Sequence, residues 1–291
     1  MVQRTNGWPR VKNASNKRGL LREKVPLKYL EEKTEQVWRQ TLMIHKIAQG
    51  TRLASSLSCI EIFVTLYYGK ILSYDARDTF WEGRDRFIIS KSHGAVSLYP
   101  ILAELGWIDA GELERVCQQG GLLNDIPDSS IPGFETINGS LGHGLGVGCG
   151  VAKALKAKGR KEKVFVLSGD GELYEGSVWE AIMFGSHHML DNLILIVDNN
   201  GISMLDYCDK IIKLEPLDRK FRAFGWKVRV VDGHNIGQLY EALNASKADA
   251  AKRPKVLIAN TIKGRGVTRL EKDPLCHIKA VSGDEIDLLV G

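Results

Sequence analysis

Four short runs dense in aliphatic and β-branched residues constrain the fold of this chain more than any other feature: Arg86–Ser90, Val164–Leu167, Leu193–Val197 and Val256–Asn260. Each is short and mostly apolar or β-branched, the pattern of a strand buried on both faces. Trp226–Val231 alternates and reads as a less distinct fifth strand. Helical stretches lie between the runs, including Ser177–Met189 and Ile236–Ala251. From about Leu27 to Tyr68 apolar positions such as Val37, Leu42, Ile44 and Ile47 recur at helical spacing, and a second apolar run opens at Ser58. Strands alternating with helices predict an α/β fold with a mainly parallel sheet covered by helices on both faces. With no internal repeat, low-complexity linker or composition break, residues 29–291 are expected to form one domain.

In such sheets ligands bind at the carboxyl ends of the strands, where loops lead into helices. Those loops are rich in functional groups here: Lys91-Ser92-His93-Gly94, Gly169-Asp170-Gly171 and Asp198-Asn199-Asn200-Gly201. Gly169-Asp170-Gly171 is followed after 27 residues by Asn199-Asn200. A hard cation bridging a diphosphate takes one or two acidic or amide oxygens from a protein, and phosphate and water complete its octahedron. Asp170, the side-chain oxygen of Asn200 and the carbonyl of Ile202 are such a set, and the flanking glycines let backbone approach phosphate closely. Each loop alone reads equally well as a tight turn. One strand-helix-strand unit separates them, which sets the two loops side by side at one sheet edge and favours a site.

Composition narrows the class. Of 291 residues 44% are hydrophobic and 26% charged, as in ordinary globular proteins, and no apolar stretch is long enough to span a membrane. Cys59, Cys117, Cys149, Cys208 and Cys276 are odd in number and form no CxxC pair, which points to a reducing, cytoplasmic setting rather than a disulfide framework or zinc site. The net charge of +5 sits unevenly: residues 1–28 carry eight Lys or Arg against Glu23, a local +7, so the remainder is −2. This basic arm is expected to be a solvated extension or a strap across a partner, not a nucleic-acid or membrane-binding element. It lacks the apolar core of a secretory signal.

The spacing from Gly169-Asp170-Gly171 to Asn199-Asn200 resembles the thiamine-diphosphate-binding motif, and its context, GDGELYEGSVWEAIMFGSHHMLDNLILIVDNNGIS, looks like the transketolase family. Ser90-Lys91-Ser92-His93-Gly94 with Leu98-Tyr99 is similar to the family's SKGHA…LY segment. Pro132-Gly133-Phe134-Glu135 followed by Gly139-Ser140-Leu141-Gly142-His143-Gly144-Leu145 is similar to its PGVE…GSLGQGL. Thr261-Ile262-Lys263-Gly264-Arg265-Gly266 leading to His277 is similar to its TxKGKG…WH. Together these segments span about residues 45–285. The glycine ladder from Gly142 to Gly150 follows a loop, not a buried strand, and so reads as close helix packing rather than a dinucleotide site.

The resemblance implies a thiamine-diphosphate-binding fold and the cofactor thiamine diphosphate with Mg²⁺, for which Ca²⁺ or Mn²⁺ substitutes. It implies that Asp170, Asn200 and the Ile202 carbonyl ligate the metal, that Gly169, Gly171 and Gly142 lie against the cofactor, and that Leu141 meets its rings. His93 and His277 match histidines lining the diphosphate and the reacting carbon. Glu175 and Glu180 match glutamates placed between the paired active sites of a dimer. As first-turn helix acids they are also explained by the macrodipole. His187 and His188 match nothing and read as surface or subunit-contact residues. The implied activity is transfer of a two-carbon ketol unit from a ketose to an aldehyde.

Family members run to more than twice this length, and the sequence stops soon after the diphosphate-binding segment. A separate pyrimidine-binding subunit is therefore expected, in an α2β2 assembly. Two departures concern the substrate. Arg52 stands where a substrate-facing histidine belongs, and Asp125 or Ile126 stands where a second does. Cofactor handling thus reads as intact and substrate handling as altered, with sugar phosphates or related ketoses as the expected class. Arg52 offers a planar fork for a carboxylate or phosphate, or else faces solvent or a neighbouring acid. The alternatives are the α-subunit of a 2-oxoacid dehydrogenase and a catalytically silent paralogue.

Overall fold

A computed structural model describes residues 24–137 and 139–291; the arm's first 23 residues lie outside them. All five expected strands form: β1 Arg86–Ile89, β2 Val164–Gly169, β3 Leu193–Asn199, β4 Lys227–Asp232 and β5 Lys255–Asn260. They make one sheet in the order β1-β2-β3-β5-β4, and every neighbouring pair is parallel. Apolar runs become β2 and β3 because both faces are covered. β4 alternates buried and exposed positions because it is an edge strand.

The long helical region at the start divides into α1 Leu27–Ile47, α2 Leu53–Leu57 and α3 Ile60–Tyr67. The remaining helices are α4 Tyr99–Glu104, α5 Gly144–Ala157, α6 Gly176–His187, α7 Cys208–Ile211, α8 Leu217–Ala223, α9 Ile236–Ala248, α10 Thr268–Glu271 and α11 Gly283–Val290. Strand side chains point alternately to two cores. Phe165, Leu167, Ile194, Ile196 and Leu257 pack with Val37, Leu42, Ile62 and Leu243 of α1, α3 and α9. Val166, Leu195, Val197 and Ile258 pack with Cys149, Ile182 and Phe221 of α5, α6 and α8.

Gly142, Gly144 and Gly148 of the glycine ladder pack as closely as expected. A Cβ on Gly148 would lie 2.6 Å from Cγ2 of Val166, so only glycine lets α5 rest on the sheet at that point. Gly146 and Gly150 meet nothing within 4 Å and leave a bare strip on the other side of α5. His187 closes α6 on its exposed side and His188 caps it, as their surface reading anticipated.

Candidate active site

The strand order sets the carboxyl ends of β1, β2 and β3 next to one another, so their three loops converge. Gly169 pairs in register with Asp198, and the Asp170 N–H donates to the Asp198 carbonyl at 3.2 Å. Asp170 is 3% exposed. Its carboxylate accepts N–H bonds from Gly171 at 2.8 Å and Gly201 at 2.5 Å, which ties the Gly169-Asp170-Gly171 turn directly to the Asn200 loop. Burial, reinforced by the Asp198 charge, pushes the Asp170 carboxyl up to about 6 against the pull of those N–H bonds and of Lys263. Asn200 Oδ1 accepts from the Ile202 N–H at 3.1 Å. The Ile202 carbonyl accepts from the Lys263 ammonium at 2.9 Å, and that of Ser203 does so at 2.7 Å. Burial, then the neighbouring Lys91, brings the Lys263 ammonium down to about 8.

Beneath this cluster lies a buried ion pair. Lys91 Nζ donates to Asp198 Oδ2, to the Ser58 hydroxyl at 2.8 Å and to the Ser55 carbonyl at 2.8 Å. Ser58 and Thr261 complete the shell of Asp198. On the far side of β2, buried Glu172 accepts from Ser168 at 2.9 Å, from the Gly142 N–H at 2.9 Å and from the Ser90 hydroxyl. Gly142 has φ +88°, and a Cβ there would sit 2.7 Å from that of Glu175; the Ser177 hydroxyl donates to its carbonyl at 2.9 Å. Leu141, which precedes this anchored glycine, is 42% exposed.

The mouth is built from four separate segments. His277 accepts or donates through Nδ1 to the Ser55 hydroxyl at 2.9 Å, and its ring lies 5.1 Å from that of His93, edge to face. Burial first, then Lys263, His93 and Arg52, pushes His277 down to about 3, so it is neutral at ordinary pH. Burial also lowers His93, while Asp125 acts in the opposite direction. His93 Nε2 stands 3.5 Å from Asp125 Oδ2, and Asp125 Oδ1 accepts the Arg52 backbone N–H at 3.0 Å. Ile126 instead packs beside Gly139, so Asp125 is the residue that faces the mouth. The Arg52 side chain makes no hydrogen bond or ion pair with any described residue.

The structure thus brings together His93, His277, Asp170, Asn200, Ile202, Arg52 and Asp125. Glu175 and Glu180 lie apart from the mouth, exposed on the α6 side. Residue-by-residue reading of the motifs left Lys91, Lys263, Asp198, Glu172 and Ser55 without roles. The lysines of Ser90-Lys91-Ser92 and Lys263-Gly264-Arg265 were the available signal, because both lie within three residues of the carboxyl end of a strand, where such sheets bind ligands.

A fully parallel α/β sheet gathers carboxylate, amide, ammonium and imidazole groups at neighbouring strand ends, the place where such sheets bind ligands. The sequence model of the family described as "Transketolase, thiamine diphosphate binding domain" matches residues 42–290, and the chain belongs to that family. It is 38% identical over 261 residues to one subunit of the apulose-4-phosphate transketolase of Actinobacillus succinogenes, covering 89% of this chain and 94% of that one. It is 35% identical over 235 residues to the 6-deoxy-6-sulfo-D-fructose transketolase subunit SqwG of a Clostridium species, covering 80% and 84%. The Campylobacter jejuni transketolase structure superposes with a TM-score of 0.82 at 26% identity, over 90% of this chain and 43% of that one. The chain therefore spans about two fifths of the length of such solved enzymes. The thiamine-diphosphate-binding fold expected from the motifs stands, and these matches do not favour the 2-oxoacid dehydrogenase reading. Among the described residues no helix is long and apolar enough to cross a membrane.

Proposed function

We propose that this chain is the diphosphate-binding subunit of a two-component, thiamine-diphosphate-dependent transketolase that moves a two-carbon ketol unit from a ketose or ketose phosphate to an aldehyde. The observation that carries the reading is the direct bond between the two motif loops, Asp170 to Gly201 at 2.5 Å, with Lys263 and the two site histidines on the same side of the sheet.

The residues present fit the cofactor and its metal. Among the described residues no three His, Cys, Asp or Glu side chains converge to hold a metal ion, so a cation here relies on the Asn200 amide and Ile202 carbonyl beside Asp170. A buried carboxylate facing the Asp198 charge gains from a divalent neighbour, and Lys263 is placed to turn from the Ile202 carbonyl to phosphate oxygens. Gly171 packs closely on Ser203: a Cβ there would lie 3.0 Å from the hydroxyl. Asp170, Asn200 and Ile202 would hold Mg²⁺, or Ca²⁺ or Mn²⁺ in its place. Gly169, Gly171 and Gly142 would border the cofactor and Leu141 its rings. When bound, thiamine diphosphate supplies a nucleophilic carbanion and then an electron sink for the bond that breaks. His277 keeps Nδ1 on Ser55 and presents a neutral ring; it and His93 donate to, or take protons from, substrate oxygens whose charge changes. Arg52 contributes a guanidinium that no described residue pairs at the mouth, suited to an anionic or polyhydroxylated substrate.

A separate pyrimidine-binding subunit completes the site, in an α2β2 assembly. Its support is that relatives of nearly this length are themselves named as transketolase subunits. The bare strip of α5 with half-exposed Val147, Met183 and Phe184 suits a second copy, which would set Glu175 and Glu180 between two sites. The cysteines, none in a disulfide among the described residues, accord with a cytoplasmic setting. The test is a titration of thiamine diphosphate with Mg²⁺ into the chain alone and mixed with a pyrimidine-domain partner. Tight binding in the mixture, lost in Asp170→Ala, is expected; no Mg²⁺-dependent binding by the intact pair overturns the reading.

A further inference from the structure

Asp125 bridges two parts of the mouth that nothing in sequence connects. Its residue is separated from Arg52 by 73 positions, yet one carboxylate oxygen receives the Arg52 backbone N–H at 3.0 Å, immediately before α2 begins. The other oxygen stands 3.5 Å from His93 Nε2. Both side chains are mostly covered, His93 at 27% and Asp125 at 22% exposure, so their interaction is only partly screened. The carbonyl of His93 is itself anchored by the Ser56 hydroxyl at 2.9 Å. The residue is therefore anchored at its backbone, and of the two ring nitrogens it is Nε2 that meets the Asp125 carboxylate, as an ion-pair contact longer than a hydrogen bond; neither nitrogen has a hydrogen-bond partner among the described residues.

We propose that Asp125 is a positioning residue for His93: its carboxylate selects the tautomer with hydrogen on Nε2 and leaves Nδ1 as the acceptor turned to the reaction. This rests on the transketolase reading above and deepens it. Where other family members place a substrate-facing histidine, this chain places a carboxylate that acts through a neighbouring one. A carboxylate behind an imidazole holds its ring orientation and makes the opposite nitrogen a better proton acceptor. The other charges around His93 all oppose protonation: Arg52 from the turn before α2, Lys91 after β1, Lys263 after β5, and the ring of His277 is neutral. Against burial and these cations, Asp125 is the acid that acts to raise the basicity of His93.

The experiment reads the ring directly. Nitrogen chemical shifts of His93, assigned by comparison with His93→Gln, report tautomer and titration in the full chain without any cofactor. The Nε2–H tautomer is expected in the wild type. Asp125→Asn, which keeps an oxygen facing Nε2 but removes the charge, should keep the tautomer while His93 titrates at lower pH. Asp125→Ala should lose the tautomer preference. With thiamine diphosphate and the partner chain present, Asp125→Ala should lower kcat by about a hundredfold, the low end of what positioned proton transfer contributes. The KM for the donor should change little, and the acid limb of the rate profile should move to lower pH in Asp125→Asn. An unchanged His93 tautomer and titration in both variants overturns the proposal, as does a loss confined to KM, which marks Asp125 as a direct substrate contact. Failure of the transketolase reading looks different: the wild-type pair would bind no cofactor while the His93 shifts still answered to Asp125.

Discussion

The deep floor of the site and its mouth are built on different terms. On the floor, Asp170, Asp198, Lys91, Lys263 and Glu172 are each less than a tenth exposed, and each is held by several short hydrogen bonds. At the mouth, Arg52, Asp125 and His93 are partly exposed, and they are joined by one hydrogen bond from the Arg52 backbone to Asp125 and one ion-pair contact at 3.5 Å. The floor answers to a diphosphate and a metal, whose chemistry does not vary. The mouth answers to a substrate, which does. A buried polar group without its partners is costly, so the floor has little freedom to drift, whereas a half-wet mouth residue is replaced at small cost.

The sharpest way to break that contrast is to remove one member of the buried pair on the floor. Lys91→Met leaves Asp198 charged and buried with the Ser58 and Thr261 hydroxyls and the Asn200 amide beside it but no cation bonded to it, and it should cost about 3–5 kcal/mol in urea unfolding. Removing both charges, as Lys91→Met with Asp198→Val, should return much of that loss while cofactor affinity stays impaired. A double variant no more stable than the single one would show that the pair is not what holds the floor together.

Next in size, Asp170→Ala should weaken Mg²⁺-dependent cofactor binding by more than about a hundredfold, since even residues that merely support metal ligands cost ten- to a hundredfold. Stability of the free chain should be unchanged or slightly higher, because a buried carboxyl next to Asp198 is removed. Calorimetric titration and urea unfolding on the same preparation separate the two effects. A large drop in stability with binding intact would assign Asp170 to the fold instead of the cofactor.

The sheet was legible because β2, β3 and β5 are covered on both faces and each carries an unbroken run of four or more apolar residues. β4 was fainter because one of its faces is wet, and the alternation that betrays an edge strand is short. The motif residues Asp170, Asn200, His93 and His277 were legible because each directly follows a strand or occupies a family segment. Lys263, Asp198 and Glu172 were not, since their roles are contacts across 60 or more residues, or to backbone, that no local pattern encodes. The choice between Asp125 and Ile126 was beyond the sequence for the same reason: only packing decides which of two adjacent loop residues faces inward.

A third effect concerns the brace under the mouth. His45 of α1 is fully buried, holds Thr51 through Nδ1 at 2.8 Å and receives the Val281 N–H on Nε2 at 3.2 Å. It so ties the turn that carries Arg52 to the segment that follows His277. Burial pushes His45 from 6.5 down to about 4. The unfolded chain therefore takes up this proton below about 6.5 and the folded one only near 4. Stability from neutral His45 is complete above 6.5 and is lost as pH falls toward 4, by about 2–3 kcal/mol in total. His45→Asn should flatten that part of the pH dependence in urea melts at pH 7 and pH 5. An equal slope in the variant would place the acid sensitivity elsewhere.

The smallest effect is the most telling for the comparison. Arg52→His restores the imidazole expected at this position and leaves the backbone N–H that Asp125 accepts untouched. Because no described residue pairs with the guanidinium, its loss strands no buried charge, and stability should stay within about 0.5 kcal/mol. Cofactor affinity should also hold, since every contact around Asp170, Asn200 and Lys263 lies on the floor. What should move is the ranking of donors by kcat/KM: ordinary ketose phosphates should gain on the preferred substrate by about tenfold, the scale of one altered polar contact at a solvent-accessible pocket. The screen needs the paired subunits and several ketoses that differ only in the group near the reacting carbonyl. An unchanged ranking would mean that Arg52 faces solvent, and that the mouth owes its selectivity to Asp125 or to the partner subunit. A changed ranking with a parallel loss of cofactor binding would mean that floor and mouth are one energetic unit after all.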